Sequence, residues 1–439
     1  MPERYLQNTL TLPNIDDCDP AKFEKFIRYG VEKILSKFPA TYDSRYYDVF
    51  VGYGGIAFMF FHLHQLFPDL TIAGDKVSLL CSTYLSASLS AVRNTPPKHL
   101  GFIGSHIGPL ALAVVFYEII EKNTLESLKY LDIILDKYHS LLIKEDSNEL
   151  LYGRAGYLYA LIFIRKYCKD NEEIMSKLEN EKLKEIIELI IKDGRDGAKR
   201  MTVENLELKT VNDKITKPDL MWSWHNAEYI GAIHGVAGII STILQCGELA
   251  HPYLGELFQT TEWLAGLVQS NENYPARIQS THDDLIQFCH GAPGIIVSFL
   301  KIYSLYPNHV SSKNILSNVL AKTDLVWERG ILKKGVTGLC HNTLGNAYAF
   351  LLTYLVTRDE VQLKRALAFG LYGSEWEVKT HKGEVRIPDH PWSLFEGLGG
   401  GIIYWSDLVF VLKNAKQFGI NSDSIAQGKV IGFPCFTDL

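Results

Sequence analysis

One arrangement of small and apolar positions returns along the chain: a glycine or other small residue, two residues, a second glycine, and then a long apolar stretch. Examples are GYGGIAFMFFHL from Gly52, GRAGYLYALIFI from Gly153 and HGAPGIIVSFL from His290. The second glycines stand at positions 55, 108, 156, 238, 294, 345 and 400. Copies about fifty residues apart leave room for two helices of about fifteen residues and two loops. Because β-branched alternation is scarce, the pattern predicts an all-α chain of seven helical hairpins.

The glycine turns also predict how these hairpins assemble. Glycine lets backbones and helix ends approach closely, so such turns are expected to meet at a crowded centre. A closed α/α toroid, a double-layered barrel, buries the terminal repeats that an open superhelix would have to cap. We expect one toroidal domain over residues 1–439, with the open superhelix as the alternative. The interval from Gly156 to Gly238 is about thirty residues longer than the others, which predicts an extended helix and a surface insertion at about 170–220.

Composition and charge narrow the classes of function. The chain has 439 residues, 47% of them hydrophobic, and a formal net charge of −6 without a dense basic run, which argues against nucleic acid as a partner. The start, MPERYLQNTL, lacks a signal-peptide pattern, and the apolar runs are too short to span a bilayer. Seven scattered cysteines do not suggest a disulfide framework. We therefore expect a cytoplasmic protein without a membrane-spanning segment, whose cysteines are free thiols or metal ligands.

Two copies of the repeat carry a Cys-His pair, in FCHGAPG at 288–294 and GLCHNTLG at 338–345. A single pair of this kind is usually a small buried hydrophobe beside a satisfied ring, but recurrence at one repeat position favours a function. Closing the ring would bring Cys289, Cys340 and one or both of His290 and His341 together as ligands of one zinc ion. Three protein ligands leave a fourth position open, as in catalytic zinc sites. His234 and Glu396 hold the same repeat position as His290, which predicts a polar centre at the mouth of the toroid.

At these residues the chain resembles the lanthionine synthetase C-like family, specifically its eukaryotic branch, over essentially its whole length. The resemblance rests on seven motifs in the same order, GYGGIA, LLYGRAGYLYALIF, AIHGVAG, FCHGAPG, GLCHNTLGNAYAFL, RIPDHPWSLFEGLGGGIIYWSDL and FPCF. It implies a toroid of seven inner and seven outer helices around a zinc ion. It also implies that the ligands are Cys289, Cys340 and His341, with His290 as a neighbour.

The resemblance further implies an activity. Bacterial cyclases of this type add a cysteine thiol across dehydroalanine or dehydrobutyrine, and the eukaryotic relatives look like zinc enzymes that add glutathione to such residues in proteins or peptides. Zinc makes the bound thiol a thiolate, and conjugate addition then needs an acid for the enolate carbon. His234 matches the family's active-site histidine and is the candidate acid. Arg154 is a candidate for stabilising the enolate or steering a phosphate, although an arginine in a turn is often only a capping cation.

Glutathione carries two carboxylates, so its site should offer cations. In the eukaryotic branch these are a lysine shortly before the second zinc cysteine, an Arg-x-Pro-Asp segment before the last repeat, and an arginine near the N-terminus. The matching residues here are Lys334, Arg386, Ile387, Pro388, Asp389 and Arg4. For Arg4, a solvated terminal charge is the alternative interpretation.

This chain departs from the family pattern at three places. Asn342 stands where the family usually has glycine, and since Asn tolerates left-handed φ, the turn is expected to survive with a side chain facing the pocket. The linker KGVTGLC is one residue longer than usual, so Lys333 competes with Lys334 for the contact with glutathione. Bacterial cyclases carry an Asp at the position of Glu149, a further catalytic candidate, and an Arg where this chain has DDLIQF, so their acid/base set does not transfer whole.

Other functions are compatible with these residues. The chain would also suit a non-catalytic glutathione- or phosphopeptide-binding regulator with a structural zinc, partnering a kinase or another signalling protein. Zinc prenyltransferases of the α/α-barrel type also activate a thiol, but they need a basic diphosphate site and an Asp ligand, and neither is evident here.

Overall fold

The computed structural model describes residues 3–41, 43–95, 98–143, 147–201, 217–278, 280, 285–426 and 431–439. Over these residues the helices are α1 (Pro20–Lys37), α2 (Tyr53–Leu66), α3 (Val77–Arg93), α4 (Ile107–Ile119), α5 (Thr124–Leu135), α6 (Tyr138–Ile143), α7 (Arg154–Tyr167), α8 (Glu172–Lys177), α9 (Asn180–Arg200), α10 (Val236–Leu244), α11 (Leu254–Ala265), α12 (Ala292–Leu305), α13 (Ser312–Arg329), α14 (Thr343–Thr357), α15 (Glu360–Gly373), α16 (Trp376–His381) and α17 (Leu398–Phe418). Two short antiparallel strands, β1 (Thr71–Ile72) and β2 (Asp75–Lys76), join α2 to α3. Single 3-10 turns occur at Ile15–Asp17, Gly247–Tyr253 and Asp423–Ala426.

The inner layer consists of the helices that begin within the seven glycine motifs. These are α2, α4, α7, α10, α12, α14 and α17, and each contacts the next one in this order. Helix α17 also contacts α2, so the circuit is closed. All residues from 107 to 116 of α4 are buried, for example, because a helix that is apolar on every side must be covered on every side. The predicted toroid is confirmed, and the open superhelix is wrong.

The outer layer covers the inner helices one by one. Helices α3, α5, α9, α11, α13 and α15 pack against the inner helices that precede them, and α1 packs against α17. The first helix of the chain is thus the outer partner of the last inner helix, which closes both layers together. At this seam a β-carbon on Gly30 would lie 3.0 Å from the Ile402 side chain, so the two helices approach closely.

Helix α9 lies in the region of the predicted insertion and belongs to the outer layer. It contacts α7 and buries an apolar stripe with helical spacing, Leu183, Ile186, Ile187, Ile190 and Ile191. The rest of the predicted insertion includes residues 202–216, which lie outside the described residues. The single-domain boundary and the limits of the insertion therefore stay predictions.

The second glycine of each motif is required by close packing of the preceding turn. In six copies an added β-carbon would lie 1.9–2.2 Å from the carbonyl oxygen of the residue six positions earlier, and in the seventh, at Gly400, 2.6 Å from that of Leu394. No β-carbon fits at these distances without a shift of the backbone. The repeated glycines are explained by this contact between each turn and its inner helix.

We expect Gly345→Ala to lower the free energy of unfolding by about 3 kcal/mol or more, since the new methyl would lie 1.9 Å from the Leu339 carbonyl oxygen. Thermal melting of the purified variant measures the effect. Gly255→Ala is the matched control, because no atom lies within 4 Å of an added β-carbon there, and the change should be neutral or stabilising by up to about 1 kcal/mol. Equal melting temperatures for both variants would contradict the packing argument.

Candidate metal centre and active site

Backbone hydrogen bonds bring the seven turns before the inner helices together at one end of the toroid. The Phe50 amide donates to Ile103, Gly104 to Leu151, Leu150 to Ile233, Cys289 to Cys340, Cys340 to Phe395, and Phe395 back to Phe50. The remaining junction is a close approach, in which a β-carbon on Gly231 would lie 2.4 Å from the Cys289 carbonyl oxygen. Residues at equivalent repeat positions therefore face a common centre, namely Val51, Gly104, Tyr152, His234, His290, His341 and Glu396.

Three side chains from these turns form a group that fits a metal ion. One ligand atom from each of Cys289, Cys340 and His341 lies within 4.8 Å of the others, and the residues are 5%, 5% and 8% exposed. Two thiolates and one imidazole suit zinc and leave a fourth position open. The structure thus brings together the three predicted ligands. His290 lies outside this group, with its ring centroid 6.0 Å from that of His234.

The two thiols of the group are electrostatically linked. The hydrogen bond with Cys340 lowers the pKa of Cys289 well below its usual range, with the His341 and His290 rings acting in the same direction. The same bond and the burial of the site raise the pKa of Cys340. The hydrogen bond therefore favours the thiolate at Cys289 and the thiol at Cys340, and a bound cation would favour loss of the second proton.

His234 is held in place beside this group by a carboxylate and an indole. Its Nδ1 atom is 2.8 Å from Oε2 of Glu149, which is buried and accepts the backbone amides of Leu151 and Tyr152. The Trp224 ring stacks on the imidazole with centroids 4.2 Å apart and planes 6° apart. Since Glu149 occupies Nδ1, the Nε2 atom is the nitrogen available to a substrate. Glu149 lies behind the ring as its positioning group.

Trp224 was not predicted from the sequence. It reaches His234 through a tight turn in which Trp224 and Ala227 exchange backbone hydrogen bonds of 2.9 and 3.1 Å. His225 and Asn226, the central residues, have φ of 48° and 57°, the left-handed pair of a type I′ hairpin. The usual sequence signals of this turn are Asn-Gly, Asp-Gly and Gly-Gly, so the segment WSWHN does not indicate one. The only available signal was the pair of tryptophans in a polar stretch.

Arg154, the other catalytic candidate, donates hydrogen bonds to the preceding turn, to the end of α6 and to α9. Its Nη1 atom donates to Oδ1 of Asn148 at 3.1 Å and to Oδ2 of Asp193 at 2.9 Å, and its Nε atom donates to the Leu141 carbonyl at 3.3 Å. These contacts tie the start of α7 to α9, and the guanidinium is buried with them. The contribution of Arg154 to the chemistry stays a prediction.

The predicted glutathione residues come from three segments that lie side by side. The Lys333 amide donates to the Arg4 carbonyl at 3.0 Å, and the Arg386 amide donates to the Lys333 carbonyl at 2.8 Å. Arg4 and Arg386 are exposed, Lys333 is half-buried, and residues 387–389 continue along the same surface with Ile387 70% exposed. The structure thus places the backbones of the segments that carry the predicted cations side by side.

Lys334 is the predicted cation whose charge acts on a residue of the metal group. It is exposed, and its ammonium opposes the rise in the pKa of Cys340 that the hydrogen bond with Cys289 and burial cause.

The expectation for Asn342 was wrong in its backbone conformation. Asn342 has φ of −128° and ψ of 167°, which is extended rather than left-handed. Its side chain is fully buried, and its Nδ2 atom donates to the Glu396 carbonyl at 2.8 Å instead of facing an open pocket. An extended backbone needs no glycine, so the turn keeps its shape with Asn342 as an additional link to the last repeat.

Comparisons with known proteins agree with this geometry. A family model described as lanthionine synthetase C-like protein matches residues 43–411. Glutathione S-transferase LANCL1 of Danio rerio is 30% identical over 371 residues, 84% of this chain and 83% of that protein. LanC-like protein GCL1 of Arabidopsis thaliana is 30% identical over 264 residues, 60% of this chain and 55% of that protein. The solved structure of nisin cyclase aligns with a TM-score of 0.57 at 15% identity, covering 93% of this chain and 98% of that chain, and thus shows the shared fold.

Proposed function

The chain belongs to the lanthionine synthetase C-like protein family, and from this premise we propose that it is a zinc-dependent transferase that adds glutathione to dehydroalanine or dehydrobutyrine residues. The observation that carries the proposal is the convergence of Cys289, Cys340 and His341 with His234 at one mouth of the toroid. The glutathione S-transferase named among the relatives supports glutathione as the thiol. No helix in the described part of the chain is both long and apolar enough to cross a membrane.

In the proposed conjugate addition, one group of residues activates the thiol and a neighbouring group supplies the proton. Bound zinc would supply the Lewis acidity that makes a thiol a thiolate near neutral pH. Cys289, Cys340 and His341 would hold the ion, and Glu149 and Trp224 orient His234 as the proposed acid. Burial of the sulfur ligands excludes water from them.

The proposed reaction needs no reactant other than glutathione and the dehydroamino acid. The glutathione sulfur forms a bond to the β-carbon of the dehydroamino acid, and the electron pair of the carbon–carbon double bond moves to the α-carbon as an enolate. His234 then gives a proton to the α-carbon, and the proton released by the thiol restores the imidazolium. The product is a thioether, and the direct test is whether the protein forms it on a dehydroalanine peptide.

Lys334→Ala is expected to raise the KM for glutathione about 10–100-fold, because a charge-assisted hydrogen bond to a carboxylate contributes about 1.5–3 kcal/mol. Steady-state kinetics at saturating peptide measure the change, and kcat should change little. Lys333→Ala is the matched control, since Lys333 is half-buried and is linked through its backbone to Arg4 and Arg386. A larger increase in KM from Lys333→Ala would transfer the role to that residue.

A further inference from the structure

A second carboxylate–imidazole pair lies in the ring of turns, between Glu396 and His341. Oε1 of Glu396 is 3.7 Å from Nε2 of His341, and Glu396 is 9% exposed. Its Oε2 atom is buried and has no hydrogen-bond partner among the described residues.

The backbone of Glu396 is held on three sides. The Ser393 hydroxyl is the acceptor for its amide at 3.2 Å, and Asn342 Nδ2 donates to its carbonyl at 2.8 Å. On the third side a β-carbon on Gly338 would lie 2.4 Å from the Glu396 carbonyl carbon. The backbone that carries the carboxylate is therefore fixed in position by these contacts. Asn342, where the family usually has glycine, supplies one of these supports.

A carboxylate in this position is costly unless a positive charge lies near it, because a buried ionised oxygen without a partner loses its hydration. The metal group offers such a charge when a divalent cation binds. Carboxylates that contact a metal-bound histidine from outside commonly fix the ring and strengthen the metal site. Glu396 is placed for this role, since it reaches His341 but lies outside the group of mutually close ligand atoms.

We propose that Glu396 is an outer-shell carboxylate of the metal centre, which positions His341 and strengthens cation binding without being a ligand. The ring of turns then contains two carboxylate–imidazole pairs with separate tasks. Glu149 orients His234 for proton transfer, and Glu396 orients His341 for the metal. The inference deepens the proposed function and rests on its metal centre, but metal binding can be measured without turnover.

The test is the zinc dissociation constant of purified full-length variants, determined by competition with a chromogenic chelator. Glu396→Gln is expected to weaken zinc binding about 10–100-fold. Glu149→Gln is the matched control, because it alters the same kind of pair on His234, and its zinc affinity should stay within about twofold of wild type. Wild-type zinc affinity in a folded Glu396→Gln variant would overturn the proposal.

A double-mutant cycle tests whether Glu396 acts through His341. In the His341→Cys background, which keeps a third ligand but removes the imidazole, Glu396→Gln should cause no further loss of zinc affinity. A loss as large as in the wild-type background would overturn the positioning role, because Glu396 would then contact the ion itself. If Glu396→Gln does not fold, Glu396→Asp replaces it: the shortened carboxylate should also weaken zinc binding, and unchanged affinity would count against the proposal. A wild-type protein that binds zinc but forms no adduct would contradict only the proposed transfer reaction.

Discussion

Cys340→Ala is expected to reduce the zinc content of the purified protein from about one ion per chain to less than about 0.1. Cys340 contributes one of two sulfurs to a group of three ligands that lie within 4.8 Å of one another. Two remaining ligands would not hold zinc against a competing buffer. Glutathione transfer should fall about 10³-fold or more with the ion, since activation of the thiol contributes several kcal/mol.

Cys246→Ala is the control for this prediction. Cys246 is a half-buried free cysteine outside the metal group, and its sulfur makes only a weak contact with the Thr242 carbonyl at 3.6 Å. The zinc content of Cys246→Ala should equal that of the wild type, as measured by inductively coupled plasma mass spectrometry. Stoichiometric zinc in Cys340→Ala would show that the ion binds elsewhere and would remove the metal group from the account.

His234→Ala is expected to lower kcat for glutathione transfer about 10²–10⁴-fold while the protein keeps its zinc. The imidazole lies 2.8 Å from a buried carboxylate, stacks against Trp224 and is outside the metal group, which supports the proposed role as proton donor. Glu149→Gln should reduce kcat as well, because an amide does not favour the same protonation state of the ring. Zinc analysis and steady-state kinetics of the same preparations distinguish loss of the proton donor from loss of the metal ion.

His251→Ala provides the comparison for a histidine away from the mouth. His251 is exposed on the 3-10 turn between α10 and α11, and its replacement should leave kcat and zinc content unchanged. Wild-type turnover by His234→Ala would exclude it as the acid. Loss of zinc from His234→Ala would instead show that its main effect is on the metal group.

The closed ring could be predicted from the sequence because every repeat carries the same steric constraint. Each second glycine marks a turn whose carbonyl oxygen leaves no space for a β-carbon, so the motif reports a tertiary contact directly. The pairing of α1 with α17 could not be predicted in this way. That contact joins distant parts of the chain through side chains such as Ile402, and no recurring motif marks it.

The sequence predicted which residues form the candidate site better than it predicted the contacts among them. The sequence and the family resemblance identified Cys289, Cys340 and His341, and the structure brings them together. The stacking of Trp224 on His234 depends on an unusual left-handed turn, which local propensity does not indicate. The extended backbone of Asn342 could not be predicted, because Asn allows both conformations and only packing against the last repeat decides between them.

The central claim is that zinc and His234 together join glutathione to a dehydroamino acid. Mass spectrometry of a dehydroalanine peptide, incubated with glutathione and either the zinc-loaded protein or Cys340→Ala, tests it most directly. We expect a peptide carrying one glutathione, formed well above background by the zinc-loaded protein alone. Background rates from both proteins, with zinc confirmed in the wild type, would contradict the transferase and favour a glutathione- or phosphopeptide-binding regulator.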